Sequence, residues 1–537
     1  MHVAKPYWKG DQRKGAWAFL AGLIVLMLAE TQFAVMLVEQ SGEMTSALAD
    51  KDRARFWDAV RLTLFVVAFA VPTYAGYYWA RDAFSNHWRR WLTSRFLDGY
   101  LTDRRYFSLA SSSKLDNPDQ RISEDINTFT GRSLHFLLIL LGSFMQLLAF
   151  SAVLWSLSKT LVLFLAIYAF VGTVCSIWLF GAPLIRLNFW QLRREADFRF
   201  RLMKVRENAE SIAFYRGESQ ERAQLDRRFR AVFKNYARLI RTQLALNLFQ
   251  RAFSQLSLLV PSVILAEAVL SGELEVGRAV QAGGAFAAVL AAVSLIVDNF
   301  DQLSRFAAGI DRLHALSAEL LEPLPDLPAS ATQIERHEGE ALALNRVTVR
   351  TPGTERMLVE NLSFQLPPGE ALLITGASGS GKSSLLRAIA GLWRGGSGDV
   401  QHPPPQDVFF LPQRPYLQAG SLRSQLIYPS SETALSDERL LEILDEVQLH
   451  GLADRVGGLH AIHDWEKLLS GGEQQRMAFA RLLVHQPRVA ILDEATSALD
   501  DQNEATLYRR LRERGTTLVS IAHRSAVEQF HTKVLSL

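Results

Sequence analysis

The stretch Gly376-Ala377-Ser378-Gly379-Ser380-Gly381-Lys382-Ser383 packs three glycines, a lysine and a closing hydroxyl into one short loop. Glycines let successive backbone N–H groups converge on a phosphate, and a helix N-terminus behind them favours an anion. Lys382 adds a point charge suited to β- and γ-phosphates, and Ser383, followed by Ser384, places a hydroxyl to ligate Mg²⁺. About 110 residues downstream, Val489-Ala490-Ile491-Leu492 runs into Asp493 and Glu494. Asp493 suits a second Mg²⁺ ligand, and Glu494 suits a base that polarises an attacking water. The chemistry these residues imply is binding and cleavage of a nucleoside triphosphate, with Mg²⁺ as the expected metal.

Such a loop acts only between a strand and a helix, and the flanks supply both. Ala371-Leu372-Leu373-Ile374-Thr375 reads as a buried strand, and Ser384-Leu385-Leu386-Arg387-Ala388-Ile389 as the helix that follows. The 489–492 run is a second buried strand, and ligand groups collect where parallel strands end. From residue 341 onward strand-like and helical runs alternate, as in an α/β domain with a parallel sheet.

A phosphate loop with an acidic strand fits kinases, GTPases and helicases alike. Leu469-Ser470-Gly471-Gly472-Glu473-Gln474-Gln475-Arg476 is more selective, because it resembles the signature motif of ABC ATPases. That resemblance implies that Ser470, Gly471 and Gly472 face the γ-phosphate held by an opposite subunit. One chain carries one such motif and one phosphate loop, so a complete site needs two chains. A homodimer is expected, with a different partner chain left open. The resemblance also implies that Gln413 senses Mg²⁺ and the membrane domain, that Asp500 in Ser497-Ala498-Leu499-Asp500 belongs to a loop crossing the dimer interface, and that His523 contacts the γ-phosphate. The catalytic set is then Glu494, His523, Lys382 and Gln413, and the metal set Ser383, Gln413 and Asp493. One feature departs from the family: Val347-Thr348-Val349-Arg350-Thr351-Pro352 offers no aromatic ring to stack on adenine, leaving Pro352 or a nearby apolar side chain.

The remainder is built for a different solvent. At 537 residues the chain exceeds a single core. Hydrophobic residues make up 49% and charged residues 21%, with 31 Phe and 11 Trp, which points to a membrane part. A net charge of +3 argues against nucleic-acid binding, and a single cysteine, Cys175, excludes an intramolecular disulfide framework. Apolar runs at 16–38, 60–80, 134–157, 161–184, 253–270 and 279–297 have spanning length. The first follows Lys5, Lys9, Arg13 and Lys14 and is too long for a signal-peptide core, so it reads as an uncleaved span. Segments 81–133 and 186–244 are rich in Arg and Lys, whereas 39–57, 158–160 and 271–278 hold only a handful, which places the two basic segments and both termini in the cytoplasm. Residues 186–244 read as helix broken at Tyr215-Arg216-Gly217. Glu30 is the one ionisable group well inside a span, a candidate for a substrate or proton path. The proline-rich 322–328 marks a boundary, giving a membrane domain at 1–325, a linker at 326–340 and a nucleotide-binding domain at 341–537.

Further motifs narrow the resemblance. Gly391-Leu392-Trp393, Pro403-Pro404-Pro405 and Leu411-Pro412-Gln413-Arg414-Pro415-Tyr416 look like the peroxisomal fatty-acyl and lysosomal cobalamin half-transporters, subfamily D. The 117–125 stretch Asn117-Pro118-Asp119-Gln120-Arg121-Ile122-Ser123-Glu124-Asp125 and the 208–218 stretch resemble that group and the bacterial SbmA/BacA-like (YddA-like) proteins. The resemblance implies an all-α, six-helix, exporter-type transmembrane domain fused to an α/β P-loop ATPase in a bacterial inner membrane. It implies coupling helices in the two cytoplasmic segments, with Glu207, Glu210 and Glu218 paired to the ATPase domain, against solvated helix faces as the plainer reading. Expected cargo is a hydrophilic or amphipathic solute such as cobalamin, a peptide or a bleomycin-like compound. A fatty-acyl or lipid cargo, a nucleotide-gated regulator and a proton-driven carrier using Glu30 stay open, as does direction.

Overall fold

Each apolar run becomes part of a helix, and most of these helices outgrow the run. The computed structural model describes residues 3–111, 118–321, 333–351, 356–522 and 525–537. Among the described residues, six helices are long and apolar enough to cross a membrane. The first two are Arg13–Ala49 and Arg53–Leu101, and the third is Ile126–Leu157. The fourth runs Lys159–Ser176, passes through a π-helical turn at Ile177–Gly181 and continues as Ala182–Glu207. The fifth spans Glu218–Leu270 and the sixth Val276–Asp298. A helix satisfies its own backbone in lipid, and nothing in the polar continuations (no glycine pair, no interior proline beyond the apolar part) stops it on leaving. The turn between the fourth and fifth helices falls where the sequence places it: Ala209–Tyr215 is a short helix, Arg216 adopts φ 51°, and Gly217 precedes the next helix.

Two compact units divide the chain, Met1–Leu324 and Pro325–Leu537. In the first, the Arg13–Ala49 and Val276–Asp298 helices approach at backbone distance: the Gly277 amide donates to the Ser46 hydroxyl at 3.1 Å, and a Cβ on Gly277 would stand 2.0 Å from the Gly42 carbonyl oxygen. At the other end, the Phe300–Leu321 helix is held by side chains. Arg121 donates to the Arg312 carbonyl at 2.7 Å, Arg312 pairs with buried Asp125 at 2.7 Å, and Arg105 donates to the carbonyls of Glu319 and Leu320. Two members of the 117–125 stretch thus serve packing within this unit, and Asn117 lies outside the described residues. Glu207 pairs with Lys204 one turn back, and Glu210 and Glu218 occupy helix first turns, where a carboxylate favours the helix dipole.

The second unit carries two larger sheets and a ribbon of β7 (Gly420–Ser421) with β8 (Ile462–His463). A mixed sheet orders β1 (Glu335–Glu338), β5 (Gly396–His402), β2 (Leu342–Arg350) and β3 (Met357–Leu366) side by side. Strand β1 pairs in parallel with β5, so the folded unit takes in part of the 326–340 segment expected as linker. The parallel sheet runs β11 (Lys533–Ser536), β4 (Ala371–Thr375), β10 (Thr517–Ile521), β9 (Val489–Asp493), β6 (Val408–Leu411). Strands β4, β9 and β10 are almost wholly buried, as expected of uninterrupted apolar runs in a sheet covered on both faces.

Candidate nucleotide site

Register decides which loops meet. Ile374 of β4 pairs with Ile521 of β10, Ile521 pairs with Asp493 of β9, and Leu492 pairs with Leu411 of β6. These strands therefore end together, and the segments that follow them, beginning at Gly376, Pro412 and Glu494, emerge along one sheet edge. His523, two residues after Ile521, lies outside the described residues, as does Pro352.

The phosphate loop is shaped by its glycines. Gly379 and Gly381 adopt φ 84° and 99°, a left-handed region that costs a residue with a Cβ about 1–2 kcal/mol. Ala377, Ser378 and Gly379 form an exposed crest, with open space where a Gly379 Cβ would project. Lys382 opens the Lys382–Ile389 helix, which also carries Ser383 and Ser384, and its buried ammonium donates to the carbonyls of Gly376 and Ala377 at 2.8 and 2.9 Å. The Ser380 hydroxyl is buried without a partner among the described residues. A lysine folded onto its own loop beside an orphaned hydroxyl fits a cradle for phosphate oxygens.

Beside the loop, the Ser383 hydroxyl donates to Asp493 at 3.0 Å, so two hard oxygen donors stand together as Mg²⁺ requires. Burial raises the Asp493 pKa, and the neighbouring Glu494 charge adds to it, against the opposing Ser383 hydrogen bond and the positive charges of Arg387 and Lys382. A divalent cation would offset that desolvation. Gln413 donates to the Glu494 carboxylate at 2.8 Å, which ties the segment after β6 to the end of β9. Glu494 has φ 48°, unusual for a residue with a Cβ, and its backbone is pinned by its amide on the Ile521 carbonyl and its carbonyl under the Ser497 amide.

The signature segment is organised by a capping box. Ser470 caps the Gly471–His485 helix: its amide donates to the Glu473 carboxylate at 2.8 Å, its hydroxyl donates there at 3.0 Å, and it accepts from the Glu473 amide. Arg455 reaches the same carboxylate at 2.7 Å. Burial alone would raise the Glu473 pKa, but the bonds from Ser470 and Arg455 outweigh it and hold the group below the usual range. A Cβ on Gly472 would lie 3.2 Å from the Ala498 carbonyl, so the signature glycine packs against the 497–500 loop. Asp500 caps the Asp501–Glu513 helix through the Asn503 amide. Ser470, Gly471, Ser497, Ala498 and Asp500 are all exposed.

Gln475 is the residue that motif reading passed over. Buried within the signature helix, it accepts from the Ala498 amide at 2.9 Å and donates to the Ser497 hydroxyl at 3.1 Å and the Gln413 carbonyl at 3.4 Å. It joins three of the segments singled out from sequence. Its signal was available: an uncharged polar side chain placed among buried residues on a helix needs partners. Arg455 gave no such signal, since it lies outside every motif.

Residues 5–270 match the family model described as ABC transporter transmembrane region 2, and residues 359–497 that described as ABC transporter. An uncharacterised ABC transporter ATP-binding protein of Synechocystis sp. is 44% identical over 98% of this chain and 81% of its own length. A lysosomal cobalamin transporter of Homo sapiens is 34% identical, with 84% of this chain and 80% of its own covered. The inner membrane ABC transporter ATP-binding protein YddA of Escherichia coli is 28% identical over 98% of this chain and 94% of its own.

Proposed function

This chain belongs to the ABC transporter family as a multi-pass membrane protein with an ATPase domain coupled to transport, and we propose that two copies form a homodimer that moves a hydrophilic or amphipathic solute across a bacterial inner membrane. Both termini are then cytoplasmic, as the basic segments 81–133 and 186–244 argue. Similarity to a cobalamin transporter supports cobalamin as the cargo, and a peptide or a bleomycin-like compound belongs to the same proposed class.

The observation that carries the reading is the pairing of Ser383 with Asp493 and of Gln413 with Glu494 at one sheet edge, beside a lysine that opens the adjoining helix. Lys382 exchanges its two loop carbonyls for phosphate oxygens, and the Ser380 hydroxyl gains a partner. Ser383, Asp493 and Gln413 would hold Mg²⁺, which when bound neutralises phosphate charge. Glu494 orients a water against the γ-phosphorus and takes up its proton as the bond to the β–γ bridging oxygen breaks. His523 contacts the γ-phosphate. Ser470, Gly471 and Gly472 of each copy close over the ATP of the other, with Asp500 in the loop between them. ATP draws the two ATPase domains together and hydrolysis releases them, so access to the membrane path alternates.

Phosphate release by the purified chain and by Glu494→Gln tests the hydrolytic part, and equal rates would overturn it. Liposomes supplied with labelled cobalamin, a peptide or an acyl-CoA test the cargo. Accumulation of the acyl-CoA alone would establish the fatty-acyl alternative.

A further inference from the structure

A cavity of about 660 Å³ lies among the fourth, fifth and sixth membrane helices. Ser176, Asn247, Arg251 and Ser294 line it, together with Gly172 and Phe253. At 1.5 Å per residue, Ser176, Arg251 and Ser294 stand about 26, 28 and 27 Å from the Lys159, Leu270 and Val276 ends of their helices. Three helices therefore deliver polar groups to one depth, near the far boundary of a hydrocarbon core about 30 Å thick. Polar side chains at that level require a partner or a wet space.

The wall is fixed. Phe253 stacks on Tyr168 with ring centroids 4.0 Å apart, the Tyr168 hydroxyl donates to the Phe253 carbonyl at 2.6 Å, and the ring fits only because residue 172 is glycine: a Cβ there would stand 2.1 Å from it. Among the described residues, Arg251 makes no ion pair or hydrogen bond and no carboxylate lines the cavity. The lining thus offers one permanent cation and several neutral hydrogen-bonding groups.

We infer that this cavity binds the anionic group, a carboxylate or a phosphate, of the transported solute, with Arg251 as the residue that selects for it. The inference rests on the transport reading above. A charge-assisted bond from a guanidinium fixes an anion in place, whereas serine and asparagine recognise the polar atoms around it without preference for charge. Its position at the inner end of the spans makes it the cytoplasmic station of the path.

Equilibrium dialysis of the full chain in detergent, without nucleotide, provides the test, with three labelled probes: an acidic tetrapeptide, its amidated neutral counterpart and an acyl-CoA. The native chain should bind an anionic probe at least tenfold more tightly than the neutral peptide. Arg251→Gln should lower that affinity ten- to a hundredfold while leaving binding of the neutral peptide unchanged, and Arg251→Lys should recover most of it. Preference for the peptide or the acyl-CoA identifies a soluble carboxylate or a lipid-linked phosphate as the source. Equal binding of all three probes, or unchanged binding by Arg251→Gln, overturns the inference and leaves the cavity to packing by a second copy. Liposome uptake separates the two readings. A chain that binds the anion through Arg251 without ATP-driven uptake keeps the cavity and loses the transport reading, whereas uptake with binding indifferent to Arg251 does the reverse.

Discussion

The Ser383 hydroxyl hydrogen-bonds to Asp493 across 3.0 Å, joining the first turn after the phosphate loop to the end of β9. Asp493 binds its proton more tightly folded than unfolded, chiefly because it is buried. An acid with a raised folded pKa loses stability as pH climbs from its unfolded value, about 3.9, through the folded one, and the loss is complete above that. At neutral pH the carboxylate therefore weakens the nucleotide-free fold. Asp493→Asn should raise the melting temperature without ligand and abolish the further rise that Mg²⁺ with ATP gives the native chain. Differential scanning fluorimetry with and without Mg²⁺-ATP reads both.

Gln475 bridges the signature helix to the 413 and 497–498 segments, so truncating it removes its half-buried hydrogen bonds to the Ala498 amide, the Ser497 hydroxyl and the Gln413 carbonyl, at about 0.5–1.5 kcal/mol each. Gln475→Ala should slow ATP hydrolysis at least tenfold and lower the melting temperature, while ATP affinity changes less than threefold because the phosphate loop is untouched. Steady-state phosphate release beside nucleotide binding checks the split.

Acid should undo the capping box. Glu473 has a depressed folded pKa, so its contribution is present above the unfolded value of about 4.3 and is lost as pH falls through the folded one. Arg455→Ala removes one of the groups that depress it. The difference in melting temperature between native and Arg455→Ala chains should be largest above about pH 5 and shrink steadily as pH falls through the depressed folded pKa. A difference that persists to the acid end would show that Arg455 acts through packing.

Membrane packing offers an independent test at Gly277. A methyl group there meets the Gly42 carbonyl oxygen and the Ser46 hydroxyl, both on the facing helix. Gly277→Ala should destabilise the membrane unit by about 1–3 kcal/mol, read as a lower melting temperature in detergent. Gly283→Ala, with open space around the site, should change little.

Much of this architecture is legible in residue pattern. Six apolar runs mark six helices, the Tyr215–Gly217 turn announces itself, and the order of Lys382, Gln413 and Asp493 along the chain marks the loops that strand register then brings to one edge. What stays hidden has physical causes. Helix ends outside the apolar runs, such as Glu218, carry no hydropathy contrast. The grip of Arg121 and Asp125 on the Phe300–Leu321 helix joins residues about 190 apart, a separation no local pattern encodes. The left-handed backbone of Glu494 is imposed by Ile521 from a neighbouring strand. Strand β1 reads as linker because all four of its residues are exposed and polar.

The Glu218–Leu270 helix is about 80 Å long, and its interior proline, Pro261, sits close to one end. Proline deletes one rung of the hydrogen-bond ladder, so bending concentrates there and leaves about 65 Å of uninterrupted rod on the other side. Pivoting such a rod by only 5° sweeps its tip through roughly 6 Å, comparable to one full helical turn. The helix is in this sense a mechanical amplifier, turning a side-chain-sized adjustment near Pro261 into a displacement at the Arg216 turn large enough to re-register whatever rests against it, and transmitting motion the other way with the same gearing.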